Sequence, residues 1–288
     1  MRKSKKAYAK INLCLNVGEK TDGGFHALES VVVTVDLYDK VTLFTRKDNK
    51  VTLKVTGSNK DYIYTCDPLR DNAYKAAVAY MQATGCNGVD IILEKHIPIA
   101  SGMGGSSSCA SATLCCMEEL YNKGADLTAI ANSLGSDTNY LLKGGWAVLK
   151  GRGDLVEYLP CNKKLKFAVI YPDGGVDTSK CFALFDKQKS SESVVNSDIE
   201  ALINSLSSEE IAYSECKNAL QEVACQINAE VKKAVEFAKS LSPKAVFMTG
   251  SGSTVCALFD YDGLAEWAVN KCKQAGFNAE VLTTYLPK

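Results

Sequence analysis

The chain has 288 residues, 46% of them apolar, and its 33 basic residues balance its 33 acidic residues, so the net charge at pH 7 is zero. This length allows two domains with packed cores, and the apolar fraction excludes extensive disorder. A balanced charge without a basic stripe argues against nucleic-acid binding. We therefore expect a globular protein, a monomer or a homodimer, that acts on a small molecule.

Membrane insertion and disulfide bonding are not expected either. No apolar run approaches the ~20 residues of a membrane-spanning helix, and the N-terminus lacks the apolar segment of a signal peptide. The twelve cysteines are scattered without a Cys-x-x-Cys pair, and the only histidines are His26 and His96. This pattern favours reduced cysteines in a cytoplasmic protein and argues against a structural zinc site.

The first half of the chain mixes strand and helix patterns. Strands are predicted at 6–17, twice within 29–45 with a junction near 36–39, and at 50–56, 89–94 and 144–149. Helices are predicted at 71–84, 106–122 and 126–134. The first of these helices has the clearest ends, because Asp71 is a suitable N-cap and Gly85 a suitable stop.

The second half has a different pattern of predicted elements, with longer helical stretches between its strands. Helices are predicted at 197–206, 209–228, 230–241 and 264–276, and the second of these allows a break within it. Strands are predicted at 166–171, 245–248, 254–259 and 279–284, and a polar loop at 187–193. Neither half shows a regular βαβ period, so the pattern predicts an α+β fold. We place the domains at 1–155 and 156–288.

A glycine- and serine-rich loop lies between the strand at 89–94 and the helix at 106–122. Its glycines allow the backbone to approach a ligand closely, and its serines begin the helix, where free N–H groups attract anions. These features predict a site for a di- or triphosphate, although a tight turn with a serine cap also fits. The candidate residues are Pro98, Gly102, Gly104, Gly105, Ser106, Ser107 and Ser108.

Other glycine motifs do not match this loop. A Walker loop ends in Gly-Lys followed by Ser or Thr, and the chain contains no Gly-Lys pair. The dinucleotide fingerprint requires a third glycine where Ser107 stands, and the Gly-x-Ser-x-Gly elbow of hydrolases is also lacking.

Three further features can complete a phosphate-transfer site. Asp137 follows a helix end, where a carboxylate can accept the proton of an attacking hydroxyl. Lys10, on an alternating strand, can offset negative charge. The turn formed by Gly250, Ser251 and Gly252 offers backbone amides to phosphate. Taken singly, Asp137 also fits an ordinary loop residue, Lys10 fits an exposed lysine on a strand, and the turn at 250–252 fits a plain hairpin.

The order of these features resembles the GHMP kinase superfamily, which comprises galactokinase, homoserine kinase, mevalonate kinase and phosphomevalonate kinase. The matching motifs are Ala-Lys-Ile-Asn-Leu at 9–13, Gly-Phe-His-Ala-Leu at 24–28 with Val-Asp-Leu-Tyr-Asp at 35–39, the loop at 98–108, Leu-Gly-Ser-Asp at 134–137 and Gly-Ser-Gly-Ser at 250–253. The resemblance implies two α+β domains with an active site in the cleft between them. It also implies transfer of the γ-phosphate of ATP, with Mg²⁺, to an alcohol.

The resemblance also implies roles for individual residues. Asp137 matches the base and Lys10 its partner, whereas the glycine loops match the ATP-binding motifs. Within the superfamily the chain most resembles a member that phosphorylates a cytidine-diphosphate-linked alcohol in isoprenoid precursor biosynthesis. The residues that match its substrate contacts are Asn12, Phe25, His26 and Phe182. Packing alone would also explain the two phenylalanines, and a structural hydrogen bond would explain His26.

Three places depart from that member's pattern, and at the first of them Gly24 adds a glycine to the Asp-Gly-aromatic-His turn. Cys109 stands where Asn or Asp is usual, and Thr138-Asn139 replaces the usual Val-Pro after the base. These changes leave open a kinase for a homoserine- or mevalonate-type alcohol. A catalytically silent ATP-binding protein is a further alternative, against which the presence of Lys10 and Asp137 argues. The spacing does not identify the ligands of Mg²⁺.

Overall fold

The structure, a computed structural model, describes residues 1–20, 24–58, 67–189 and 196–287. Its strands are β1 (Arg2–Asn12), β2 (Asn16–Lys20), β3 (His26–Thr45), β4 (Thr52–Gly57), β5 (Val89–Lys95), β6 (Ala147–Gly151), β7 (Leu155–Tyr158), β8 (Lys166–Tyr171), β9 (Ala245–Met248), β10 (Val255–Leu258) and β11 (Asn278–Thr283). Its α-helices are α1 (Asn72–Thr84), α2 (Gly105–Tyr121), α3 (Leu127–Leu134), α4 (Thr138–Leu141), α5 (Thr178–Lys189), α6 (Ile199–Ser205), α7 (Gln221–Ile227), α8 (Ala229–Ser240) and α9 (Asp262–Gln274).

These elements form two compact units, each made of several segments of chain. The first unit consists of Met1–Ala9, Leu37–Ile99 and Gly104–Gly144. The second unit consists of Lys10–Asp36, Ala100–Met103 and Gly145–Lys288. The domain bounds predicted from the sequence, 1–155 and 156–288, stay a prediction.

In the first unit, strands and helices enclose one core. Strand β5 pairs antiparallel with β3 and parallel with β4, and its residues alternate between buried and half-buried. Helix α1 packs against α2. The predicted ends of α1 are present, because Asp71 accepts hydrogen bonds from two amides of its first turn and Gly85 ends it in the left-handed conformation. The core side chains include Val41, Leu43, Tyr80, Ile91, Leu93, Leu114 and Met117.

In the second unit, a four-stranded antiparallel sheet has the order β11-β8-β10-β9. All four residues of β10 are buried, which agrees with its central position. Side chains of the sheet and of α8 and α9 share a core that includes Ile170, Leu220, Val231, Met248, Val255 and Val269. The turn of residues 249–254, which carries the predicted glycines, connects β9 and β10.

The prediction of two strands within 29–45 is wrong, because β3 is one strand of 20 residues. The two acidic residues at the expected junction accept hydrogen bonds from other parts of their own units. The chain therefore does not turn there. Asp36 Oδ1 accepts a hydrogen bond from the amide of Thr283, at 2.8 Å. Asp39 Oδ1 accepts from the amides of His96 and Ile97, at 2.6 and 2.9 Å. Tertiary contacts therefore keep this segment extended.

The helix predicted at 209–228 forms only over α7, after a short 3-10 turn at Tyr213–Glu215. The amide of Leu15 donates to the carbonyl of Lys217, and the amide of Ala219 donates to the carbonyl of Leu15. These groups are therefore not used for helix formation. Strand β7, the short α4 and α5 were not expected from the pattern. Helix α5 reaches into the loop predicted at 187–193, and residues 190–193 of that loop lie outside the described residues.

Candidate active site

In the first unit, the start of α2 is an N-terminus without a side-chain cap. Gly104 occupies the N-cap position in the left-handed conformation, with φ of 72°, and makes no side-chain cap bond. The first amides of an α-helix lack intrahelical partners, and the helix dipole adds positive potential there. The predicted serines differ in exposure, since Ser106 is exposed and Ser107 half-buried. This end of α2 has the properties of an anion-binding site.

Gly105 is held closely against the end of β5. A Cβ atom at this position would lie 3.0 Å from Cγ2 of Ile97 and 3.5 Å from Nζ of Lys95. Pro98 follows Ile97 directly and is half-buried. The lack of a side chain at Gly105 therefore allows the first turn of α2 to pack on the segment that precedes the loop.

Ser108 has a different environment from the two preceding serines. Its hydroxyl donates to the carbonyl of Tyr8 at 2.7 Å, and its amide donates to the carbonyl of Gly104 at 2.9 Å. The residue is buried. Its hydroxyl thus anchors α2 to β1 and its amide is used within the helix, so the phosphate-binding part is left to the residues before it.

The candidate base Asp137 lies at the start of α4, in the same unit. It is half-buried, and it has no side-chain bond to the helix that it precedes. Ser111 on α2 fixes this helix by donating to the carbonyl of Thr138 at 2.6 Å. A Cβ atom on Gly135 would lie 3.4 Å from the hydroxyl oxygen of Ser107. The structure thereby brings the turn before Asp137 to the first turn of α2.

In the second unit, Lys10 belongs to a buried polar cluster. Its ammonium donates to Oδ1 of Asn12, and a Cβ atom on Gly250 would lie 3.2 Å from its Nζ. Asn12 is bonded at its backbone amide to Oγ1 of Thr249, at 2.9 Å, and at Nδ2 to Oγ of Ser30, at 2.7 Å. The sequence motif at 9–13 and the turn at 249–254 are therefore neighbours, as a common site requires.

The second unit also joins two of the predicted glycine segments. The amides of Ser253 and Thr254 donate to the carbonyls of Ala100 and Ser101, at 3.1 and 3.2 Å. Gly102 has φ of 74°, and a Cβ atom there would lie only 2.1 Å from the carbonyl oxygen of Thr249. Glycine is required at this position by both the backbone conformation and the space.

The turn itself is supported by residues that sequence reasoning missed. Asn218 donates from Nδ2 to the carbonyls of Met248 and Gly250, at 2.6 and 2.8 Å. The hydroxyl of Ser251 lies 2.7 Å from that of Thr178 at the start of α5, and Gly252 has φ of 90°. A single asparagine outside any motif carries no signal by which it could have been found.

The predicted substrate residues Phe25, His26 and Phe182 also lie in the second unit. Phe25 is 55% exposed, and the guanidinium of Arg152 lies 5.3 Å from the centroid of its ring. His26 is buried, and its ring stacks on that of Phe182 at a centroid distance of 5.4 Å. Phe25 thus presents an aromatic surface to solvent, whereas His26 and Phe182 pack on each other.

Helix α5 holds His26 through a carboxylate as well as a ring. Nδ1 of His26 lies 2.9 Å from the carbonyl oxygen of Gly18, and Nε2 lies 2.8 Å from Oδ1 of Asp186. Asp186 also contacts the ammonium of Lys20. Burial opposes ionisation of Asp186, but Lys20 and His26 outweigh this effect and lower the pKa of its carboxyl. No residue pattern indicated this ion pair.

The residues that the structure describes contain neither a cluster for a metal ion nor a membrane-spanning helix. Among these residues, no group of three or more His, Cys, Asp or Glu side chains is arranged to hold a metal ion. Within the same part of the chain, every helix is too short or too polar to span a bilayer.

Known proteins match almost the whole chain. Residues 71–147 match the GHMP kinases N terminal domain and residues 190–278 the GHMP kinases C terminal family. A 4-diphosphocytidyl-2-C-methyl-D-erythritol kinase of Clostridium beijerinckii is 33% identical over 88% of this chain and 90% of its own length. A kinase of the same name from Exiguobacterium sibiricum is 32% identical over 98% of this chain and 96% of its own length. The chain therefore belongs to the GHMP kinase family.

Solved structures give the same result for the fold. The crystal structure of a 4-(cytidine 5'-diphospho)-2C-methyl-D-erythritol kinase matches with a TM-score of 0.80 at 27% identity, over 98% of both chains. A homoserine kinase from Cytophaga hutchinsonii matches with a TM-score of 0.75, and its 17% identity makes this a likeness of fold. The predicted α+β fold, family and enzyme class, an ATP-dependent phosphotransferase with an alcohol acceptor, are confirmed.

Proposed function

We propose that this chain transfers the γ-phosphate of ATP, with Mg²⁺, to a hydroxyl group of 4-diphosphocytidyl-2-C-methyl-D-erythritol. The relatives that carry this name match nearly its full length. The observation that supports the chemistry is that the start of α2 and the turn before Asp137 lie close together in the first unit. The uncapped end of α2 can bind phosphate, and the turn that precedes Asp137 lies against Ser107 of its first turn.

In this proposal the amides of Gly104, Gly105, Ser106 and Ser107 bind the phosphates of ATP. Within the second unit, the Gly102 segment and the turn at 249–254 hold each other in place. Phosphoryl transfer depends on positioning and on stabilisation of charge more than on covalent chemistry of the protein. Fixed backbone amides serve this purpose because they need no rearrangement during the reaction.

Asp137 accepts the proton of the attacking hydroxyl, and Lys10 offsets the negative charge that develops. A half-buried carboxylate next to the turn that contacts Ser107 suits a base. Lys10 is only 4% exposed, and Asn12 orients its ammonium. A buried and oriented cation loses little to screening by water or salt.

Mg²⁺ prefers oxygen ligands and keeps several waters and phosphate oxygens in its coordination sphere. Ser107 offers a hydroxyl at the first turn of α2, which fits an ion with few protein ligands. When bound, Mg²⁺ neutralises charge on the phosphates.

The exposed ring of Phe25 is the proposed stacking surface for the cytosine base. Arg152 covers part of this ring and so favours one orientation of the side chain. His26 and Phe182 lie in the same unit and are already stacked on each other. Stacking on an aromatic ring requires only a flat face, which Phe provides.

A substrate screen tests this function. The purified chain with ATP and Mg²⁺ is offered 4-diphosphocytidyl-2-C-methyl-D-erythritol, homoserine and mevalonate, and the release of ADP is measured. We expect release with the cytidine-bearing alcohol and almost none with the other two. Release with one of the simple alcohols alone would contradict the proposed substrate, and ATP binding without any release would favour a silent nucleotide-binding protein.

A further inference from the structure

Three polar side chains are enclosed in the first unit beside the start of α2. Asp39 is fully buried, Lys95 is 4% exposed and Cys109 is 2% exposed. Oδ2 of Asp39 contacts the ammonium of Lys95 and accepts from the thiol of Cys109 at 3.2 Å. Oδ1 of the same carboxylate accepts from the amides at 96 and 97. Both oxygens of Asp39 are thus engaged.

The cluster links three elements at one place. Asp39 belongs to β3, Lys95 ends β5 and Cys109 lies in the first turns of α2. Nζ of Lys95 is 3.7 Å from the sulfur of Cys109 and 3.5 Å from the position of a Cβ atom on Gly105. Because positions 105 and 109 are one turn apart on the same helical face, the ammonium lies against the first turn of α2.

The charges of this cluster are defined by its surroundings. Burial opposes the charge of Lys95, but the neighbouring Cys109 and the carboxylate of Asp39 together outweigh this effect, so the pKa of Lys95 is raised and the ammonium stays charged. Burial raises the pKa of the Cys109 thiol well above its usual value, which keeps the thiol neutral and able to donate. The carboxylate of Asp39 reaches α2 at Cys109, whereas the ammonium of Lys95 also lies 3.5 Å from the Cβ position on Gly105, at the first residue of the helix.

We propose that Lys95, held by Asp39, is a positioning residue for the phosphates of ATP. It acts through α2, since it is too deeply buried to serve as a surface ligand. Its fixed cation adds positive potential at the helix end that already attracts anions, and the ion pair fixes the direction of the amides in the first turn. This inference rests on the proposed function, because it requires that ATP binds at this end of α2.

The double variant Lys95→Met/Asp39→Asn tests the inference. It removes the cation without leaving an unpaired buried charge, and the Asn oxygen can still accept from the amides at 96 and 97. The matched control is Lys40→Met, which removes a cation from the half-exposed pair of Lys40 with Glu94 on the same two strands. Lys95→Arg retains the charge and serves as the conservative variant.

Affinities for ATP and for adenosine are measured by calorimetry, with the melting temperature as a check on folding. We expect about a ten-fold loss of ATP affinity in the double variant, the size of a partly buried charge at a helix end, with adenosine affinity within about two-fold of wild type. The control should bind both ligands like the wild type, and Lys95→Arg should recover most of the ATP affinity. An equal loss for ATP and adenosine, or no loss for ATP, would overturn the inference.

Two outcomes separate this inference from the function on which it rests. If the wild type binds no ATP, the proposed function fails and the inference fails with it. If the wild type binds ATP and the double variant binds it equally well, only the inference fails. Should the double variant not fold, Lys95→Gln/Asp39→Asn carries the same expectation, because its two amides can hydrogen bond to each other.

Discussion

The change Gly102→Ala tests whether the glycine loop depends on the turn at 249–254. A methyl group at this position would lie 2.1 Å from the carbonyl oxygen of Thr249, whereas ordinary contact begins at 3.4 Å. Gly102 also has a φ of 74°, a conformation that costs a non-glycine residue about 1–2 kcal/mol. Forcing an extra carbon into a packed place costs about 1–3 kcal/mol more. We expect a total loss of about 2–5 kcal/mol of unfolding free energy.

Gly124→Ala is the matched control. Gly124 has a similar φ of 66°, and a Cβ atom there would have nothing within 4 Å. Its expected cost is therefore the conformational part alone, about 1–2 kcal/mol. Urea denaturation of both variants isolates the part due to contact with Thr249. Equal losses in the two variants would refute the close approach of the two segments.

Three further changes address the site. Asp137→Asn should leave ATP affinity nearly intact and lower kcat by roughly 10²–10⁴, and a variant that keeps most of its turnover would exclude Asp137 as the base. Phe25→Leu should raise KM for the cytidine-bearing alcohol about ten-fold without changing KM for ATP, whereas Phe25→Tyr should restore binding. Asn218→Ala should cost about 1–3 kcal/mol of stability by leaving two carbonyls without a donor. The exposed Asn204→Ala is its control, and urea midpoints that fall equally would contradict this role of Asn218.

Local signals were sufficient for elements whose ends are determined by their own residues. Helix α1 begins and ends where an Asp cap and a glycine stop predict, because both interactions lie within a few residues of the helix. The start of α2 was also predictable, because the glycines before it and the serines that begin it lie at the helix end itself. Strand β3 was not, because the bonds that keep Asp36 and Asp39 extended come from residues far along the chain.

The candidate site shows the same division. The glycine loop, Lys10 and Asp137 could be named from their residue types and order along the chain. The contact of Gly102 with the turn after Thr249 could not, because nearly 150 residues separate the two segments and no pattern reports their pairing. The residues that support the site from behind, such as Asn218 and Lys95, belong to no motif. Their importance follows only from burial and from the partners that the fold brings to them.

A crystal structure of the chain with Mg²⁺ and a non-hydrolysable ATP analogue tests the central claim most directly. We predict that the terminal phosphates accept hydrogen bonds from the amides of residues 104–107 at the start of α2. A triphosphate bound elsewhere on the protein, with these amides turned to solvent, would contradict the account of how this kinase holds its nucleotide.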